Sequence, residues 1–307
     1  MLNRFMTKKL TLACCFVCTA LLTIFVNTVM ADTQTRAVTV APDAEKRSSI
    51  HTVDGYANLS EDMTLKETRS MAFANAKRQA VEMAQTYIQS KTKVENFELK
   101  LDEVNASAEG AVTILEQKDF GIEKNTRYHV WIKAEVEYSL KPGAQTTTPD
   151  GALDPGAPLT VKVWTSKKKY NKGDQIEIYL QGNRDFYARI VDITSDGNII
   201  QLLPNDYRTV NRFKGGKLYK IPDQAQGDHF VLNVAPPYGQ DQIVVYASEA
   251  PLGQIEAKPL GQGLSVVSGD RKSLAAKTRG IAVSGTGPKM EAGADFYEAT
   301  WTLSTTP

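Results

Sequence analysis

Beyond residue 18 the chain has no cysteine: Cys14, Cys15 and Cys18 are all 3 that it holds. A protein without thiols past its first segment forms no disulfide and offers no cysteine nucleophile, so packed cores must hold it together. Histidine is as scarce, with 3 in the chain, His51, His129 and His229. They lie far apart and form no His-Glu-x-x-His or His-x-His pairing, so nothing presents two imidazoles to one metal ion. Excess charge of one sign is missing too. The formal charge is +1, and Arg4, Lys8 and Lys9 sit in the first segment, which leaves the rest slightly acidic. That excludes the general attraction on which nucleic-acid binding depends. No Gly-x-Ser-x-Gly elbow occurs, and Gly285-Thr286-Gly287-Pro288-Lys289 lacks phosphate-loop spacing and puts proline where amide donors are needed.

What is present begins with a leader. Three cations in the first nine residues precede an uncharged apolar stretch from Leu10 to Val26, the n-region and h-region of a secretory signal peptide. Val29-Met30-Ala31 puts short side chains where a signal peptidase reads, which predicts cleavage after Ala31; a start at Met6 leaves this unchanged. The apolar run approaches the roughly 20 residues that span a bilayer, so a retained anchor is the alternative. A stable lipid anchor is not expected, because Cys14 has Thr11 and Ala13 ahead of it and Cys15 follows another cysteine. The expected destination is the periplasm or the cell exterior.

Residues 32–48 are polar and aperiodic, a flexible lead-in, and regular structure is expected from about Ile50. Ile50 to Ala57 reads as a strand. Thr64-Leu65-Lys66-Glu67 has capping-box spacing, and Phe73, Ala76, Ala80, Met83, Ala84 and Tyr87 recur at helical intervals as one apolar stripe. From Val130 to Leu140 the alternation is nearly strict, with Trp131, Lys133, Glu135 and Glu137 on the face expected to be wet. Val112 to Leu115 and the stretch around Phe120 supply neighbouring strands, and Val94 to Val104 reads as strand, helix or one of each. Residues 49–141 are thus expected to form an α+β domain, one long helix on an antiparallel sheet. A Pro/Gly/Thr-rich linker covers 142–158.

Short strands then follow at Leu159 to Trp164, Gln175 to Leu180, Phe186 to Thr194, Asn198 to Leu203, Lys217 to Ile221, His229 to Val234 and Gln242 to Ala247. Ser195-Asp196-Gly197-Asn198 is a hairpin turn. Seven strands without a helix predict an all-β immunoglobulin-like sandwich over 159–250. A glycine-rich tail, 251–307, carries a short helix at Lys272 to Lys277 and a last strand, Phe296 to Leu303, expected to return to that sandwich.

Few residues offer chemistry. Ser166-Lys167-Lys168-Lys169 has Ser-x-x-Lys spacing, but it follows an extended run instead of lying on a helix. Glu135 and Glu137 share a strand face, as do Asp192 and Thr194, and alternating polar groups of this kind read as a solvated surface. Asp192, Asp196 and Asn198 miss the calcium-loop spacing. Two loops place tyrosine beside rigid turn residues, which gives contact area at low entropic cost: Asn205, Tyr207 and Arg208 in one, Tyr238 and Gln240 in the other. These five are the candidate interaction residues.

Lys172-Gly173-Asp174, Arg184-Asp185-Phe186-Tyr187, Leu202-Leu203-Pro204-Asn205, Ile221-Pro222 and Gln242 to Ser248 together resemble a bacterial domain of unknown function, numbered 4384, over about 159–250. The resemblance implies a non-catalytic domain of exported proteins and transfers no active site. Val53-Asp54-Gly55-Tyr56-Ala57, the alanine-rich helix and Tyr128 to Val136 resemble the amino-terminal domain of flagellar assembly protein T and the LPP-twenty lipoproteins, without the lipoprotein cysteine. The expectation is an exported non-catalytic envelope protein that binds a protein partner and needs no cofactor. The rivals are a cell-wall-directed hydrolase and a small-ligand or glycan sensor.

Overall fold

The computed structural model describes residues 45–91, 97–99, 112–140, 153–279 and 293–307. The leader, its cleavage site after Ala31 and most of the lead-in lie outside the described residues. The first elements are β1 (Lys46–Asn58), α1 (Leu65–Lys91), β2 (Phe97–Leu99), β3 (Val112–Glu123) and β4 (Arg127–Leu140). The capping box forms at the start of α1: the Thr64 amide donates to Glu67 Oε2 at 2.8 Å, and the Glu67 amide donates to Thr64 Oγ1 at 3.3 Å. Ala72, Ala76, Ala80 and Ala84 are fully buried and bring the helix close to β1 and β4, where Val53, Val130, Ile132 and Val136 meet it. Gly55 marks a close approach, since a Cβ there would lie 2.6 Å from the Ala76 Cβ.

The remaining elements are β5 (Val161–Thr165), β6 (Lys169–Asn171), β7 (Ile178–Gly182), β8 (Phe186–Ile193), β9 (Ile199–Leu203), β10 (Arg212–Phe213), β11 (Leu218–Ile221), β12 (Gln240–Ser248), β13 (Ala257–Gly261), β14 (Leu264–Val267), α2 (Arg271–Arg279) and β15 (Ala294–Thr306). The fold is mostly antiparallel β, with two α-helices among the described residues. One large sheet runs β13-β14-β9-β8-β12-β15-β1-β4-β2, with β3 also on β4; a second runs β11-β7-β5. Ile178, Leu180, Phe186, Ile190, Phe213, Ile243 and Val245 fill the core between the two sheets.

Three expectations need correction. Regular structure starts at Lys46, ahead of Ile50, because Lys46 to Ile50 pair with Glu298 to Ala294 of β15. The last strand does pair with β12, from Gln240↔Ser304 to Ser248↔Phe296, but its other edge takes β1, a partner roughly 250 positions away that no local pattern can announce. His229 to Val234 forms no ladder and touches a neighbour through one bridge, Gln175↔Asn233. It runs as an extended strap tied by Ile176 N to Leu232 O at 2.8 Å and Val234 N to Asp174 O at 2.9 Å.

The face of β4 expected to be wet is covered as well. Lys133 and Glu135 are buried, 2% and 3% exposed. Lys133 donates to Glu116 at 3.3 Å. Glu135 accepts from Ser48 Oγ at 2.6 Å and lies 2.7 Å from Arg279 Nε, a charge contact not aligned as a hydrogen bond. Arg279 also reaches Glu298 at 2.9 Å, and Glu298 takes Arg271 at 2.9 Å. Helix α2 covers this side of the sheet, with Leu274 and Ala275 on Val191, Val244 and Tyr246. A sheet covered on both faces buries charges that alternation alone assigns to solvent.

Candidate functional site

Antiparallel register decides where the strands of the large sheet aim their side chains. Asp192 of β8 stands opposite Ile243 of β12, and directly opposed residues share a face. Ile243 lies in the inter-sheet core, as do Phe186, Ala188 and Ile190 at every second position of β8. Asp192 therefore points between the sheets and not onto a solvated surface, which corrects the sequence reading of Asp192 and Thr194.

At this end the space between the sheets is not filled. A cleft of about 560 Å³ lies elsewhere, under α2, and its acids are all in ion pairs. The cleft at Asp192 measures about 460 Å³ and differs in kind. Its walls are aliphatic: Val231, Pro236 and Pro237 come from the strap and the loop after it, and Leu260 and Leu264 from the β13–β14 hairpin. Its polar end holds Asp192, Asp241, Thr194 and Thr305.

Three of those four are satisfied within the fold. Asp241 accepts from the Ser195 amide at 2.8 Å through one oxygen and from Thr305 Oγ1 at 3.2 Å through the other. Thr194 Oγ1 donates within the hairpin turn, 2.6 Å from Asp196 and 3.1 Å from Asn198 O. Asp192 has no partner among the described residues, and its Oδ1 is shut off from solvent. Burial pushes its carboxyl up to about 7, and the charge of Asp241 adds to the shift. Burial raises Asp241 as well, against the hydrogen bonds from Ser195 and Thr305 that favour its ionised form.

The five loop residues singled out from the sequence do not line the cleft, although their segments border it. Asn205 is buried and shapes its turn, donating to Leu202 O at 2.8 Å and accepting from the Tyr207 and Arg208 amides at 2.9 and 2.8 Å. Arg208 pairs with Asp228 at 3.0 Å. The Tyr207 ring is exposed, stacks on Phe230 and lies against Gly263, beside Gln262 and Leu264 of the cleft wall. Tyr238 packs on the inter-sheet core with its hydroxyl buried and unpartnered. Gln240 is exposed at the start of β12, and Pro236 and Pro237 of the same loop face the cleft. The residue that the cleft singles out is Asp192, which the sequence pattern assigns to a solvated strand face. Counting in twos from Phe186 through Ala188 and Ile190 was the available signal.

The other polar candidates are accounted for locally. Ser166 sits in the turn after β5, its Oγ 3.1 Å from the Tyr170 hydroxyl. His129 is stacked between Tyr56 and Phe120, each at 4.5 Å, with Nε2 2.7 Å from Asp54. His51 is buried beside Tyr87, its Nδ1 unpartnered, and burial lowers it to about 4. His229 is exposed. Among the described residues no three His, Cys, Asp or Glu side chains are placed to hold a metal ion, and no helix is long and apolar enough to cross a membrane.

Residues 169–251 match a family model described as Domain of unknown function (DUF4384). The match supplies the floor and strap of the cleft, while Leu260, Gln262, Leu264 and Thr305 come from chain beyond it. No curated protein matches the chain.

Proposed function

We propose that this protein is exported by its leader, works in the cell envelope without catalysing a reaction, and holds a partner protein whose extended segment enters the cleft at Asp192. One observation carries this reading: a carboxyl with no hydrogen-bond partner among the described residues faces an apolar cleft. Oδ1 is the enclosed atom, so the oxygen left to a ligand is Oδ2, and a bound segment that donates to it offsets part of the roughly 1–3 kcal/mol that an unsatisfied buried polar group costs. Apolar rim residues favour the same use, with Val231 44% and Leu260 54% exposed.

The finer architecture belongs to the same proposal. Residues 159–250 are read as an immunoglobulin-like sandwich with the cleft at one end, and 49–141 as an α+β unit in which α1 covers an antiparallel sheet. A hydrolase built on two carboxylates needs both free to act on substrate, whereas both Asp241 oxygens are engaged. A glycan site draws on stacking aromatic rings, and among the described residues no aromatic side chain lines the cleft.

Photocrosslinking in living cells tests the proposal. A photoreactive side chain at Leu260 or Val231 is expected to give one discrete protein adduct, and the same group at Leu218, exposed on β11 of the smaller sheet, is expected to give none. Adducts that are identical from all three positions, or absent from all three, contradict it.

A further inference from the structure

The cleft assigns a charge to its occupant. Among the described residues, Asp192 and Asp241 are the only titratable groups that line it; from the other packed elements Thr305, Asn233 and Gln262 face it, and all three are neutral. Asp196, at the β8–β9 turn, adds a further negative charge near Asp241. With Asp241 and Thr194 engaged, one carboxyl stands free at the end of a passage walled by Leu260, Leu264, Val231 and two prolines.

We infer that the segment received here presents a lysine, its methylene stem along the aliphatic walls and its ammonium on the Asp192 carboxylate. This rests on the cleft being the partner site. A lysine stem buries well against apolar surface while its head seeks a single charged acceptor. Arginine fits less well, because its planar fork is best used on a carboxylate with both oxygens open to it, and Asp192 Oδ1 is enclosed. A calcium ion needs six or more oxygen ligands, and the neighbouring Asp241 and Thr194 oxygens already accept or donate within the fold.

The ion pair forms only after Asp192 gives up its proton to solvent, so binding of the lysine segment is coupled to proton release. Because burial holds the Asp192 carboxyl up to about 7, acid conditions oppose binding and mildly alkaline conditions favour it.

Two capped pentapeptides, acetyl-Ala-Val-Lys-Val-Ala-amide and its norleucine counterpart, separate the possibilities when titrated into the purified protein and followed by amide NMR shifts. At pH 8 both are expected to shift β8 and the 231–237 segment, with the lysine peptide about tenfold tighter. That advantage is expected to shrink about tenfold at pH 5.5 and to vanish in Asp192→Asn. Equal affinity of the two peptides, or a lysine preference that survives in Asp192→Asn, overturns the lysine assignment and leaves the partner-binding cleft standing. If neither peptide shifts the cleft at pH 8, both readings fall.

Discussion

Asp192 and Ile243 stand opposite each other across the β8–β12 ladder, so the carboxyl of one follows the side chain of the other into the space between the sheets. An apolar residue at position 192 would extend the core. The aspartate instead leaves an enclosed oxygen, without a partner among the described residues, beside a cleft open to solvent.

That placement has a consequence for stability. Between an unfolded aspartate near 4 and the folded value of about 7, the native protein holds a proton that the unfolded chain has released. The contribution is therefore fully present below pH 4 and lost as pH rises to 7. Asp192→Asn keeps the shape without the titration. It is expected to be more stable than the parent above pH 7 by up to about 4 kcal/mol, with the difference closing near pH 4. Urea denaturation at pH 4, 6 and 8 measures it, and a difference independent of pH contradicts the buried carboxyl.

His51 acts in the opposite direction. Its folded value of about 4 lies below the ordinary 6.5, so its contribution is present above pH 6.5 and lost as pH falls to 4. Relative to the parent, His51→Gln is expected to gain about 3 kcal/mol between pH 7 and pH 4. Taking the difference between variant and parent removes the opposing Asp192 effect, and the same denaturation series reads it.

How much of this was legible in the sequence depends on the range of the interaction. The Thr64–Glu67 cap, the alanine stripe of α1 and the Asp196-Gly197 turn are written within a few residues, and each is found in the structure. Pairing of β1 with β15 leaves no local trace, since either strand pattern fits any neighbour of suitable length. The burial of Glu135 depends on α2, contributed from far along the chain, so alternation alone assigns it to water. Asp192 reads as surface because both faces of β8 carry apolar residues, and only the inward set counted from Phe186 turns it toward the core. The loop tyrosines marked segments that border the cleft without marking its lining.

Arg279 links two buried acids, 2.7 Å from Glu135 and 2.9 Å from Glu298. Arg279→Met leaves Glu135 under-compensated in the interior and is expected to cost about 3–5 kcal/mol. Pairing it with Glu135→Gln is expected to restore most of that, because the stranded charge is then gone. Chemical denaturation of the two variants checks this, and equal losses in both show that the charge was not the source.

Gly55 and Gly121 differ in why they are glycine. A Cβ at Gly55 meets Ala76 and the Ala72 carbonyl, whereas Gly121 has open space but φ +75°. Gly55→Ala is expected to force α1 off the sheet at a cost of about 3 kcal/mol or more. Gly121→Ala carries only a backbone penalty of about 1 kcal/mol. Thermal unfolding of both variants tests the ranking.

The Asp192 carboxyl itself gives the most direct test, through the pH titration of its side-chain carbon resonance in the free protein. A midpoint near 7 is the predicted result, the signature of an enclosed acid that waits for a donor. A midpoint near 4 would mean that the group is solvated or already paired, and would contradict the cleft as the place where a partner is held.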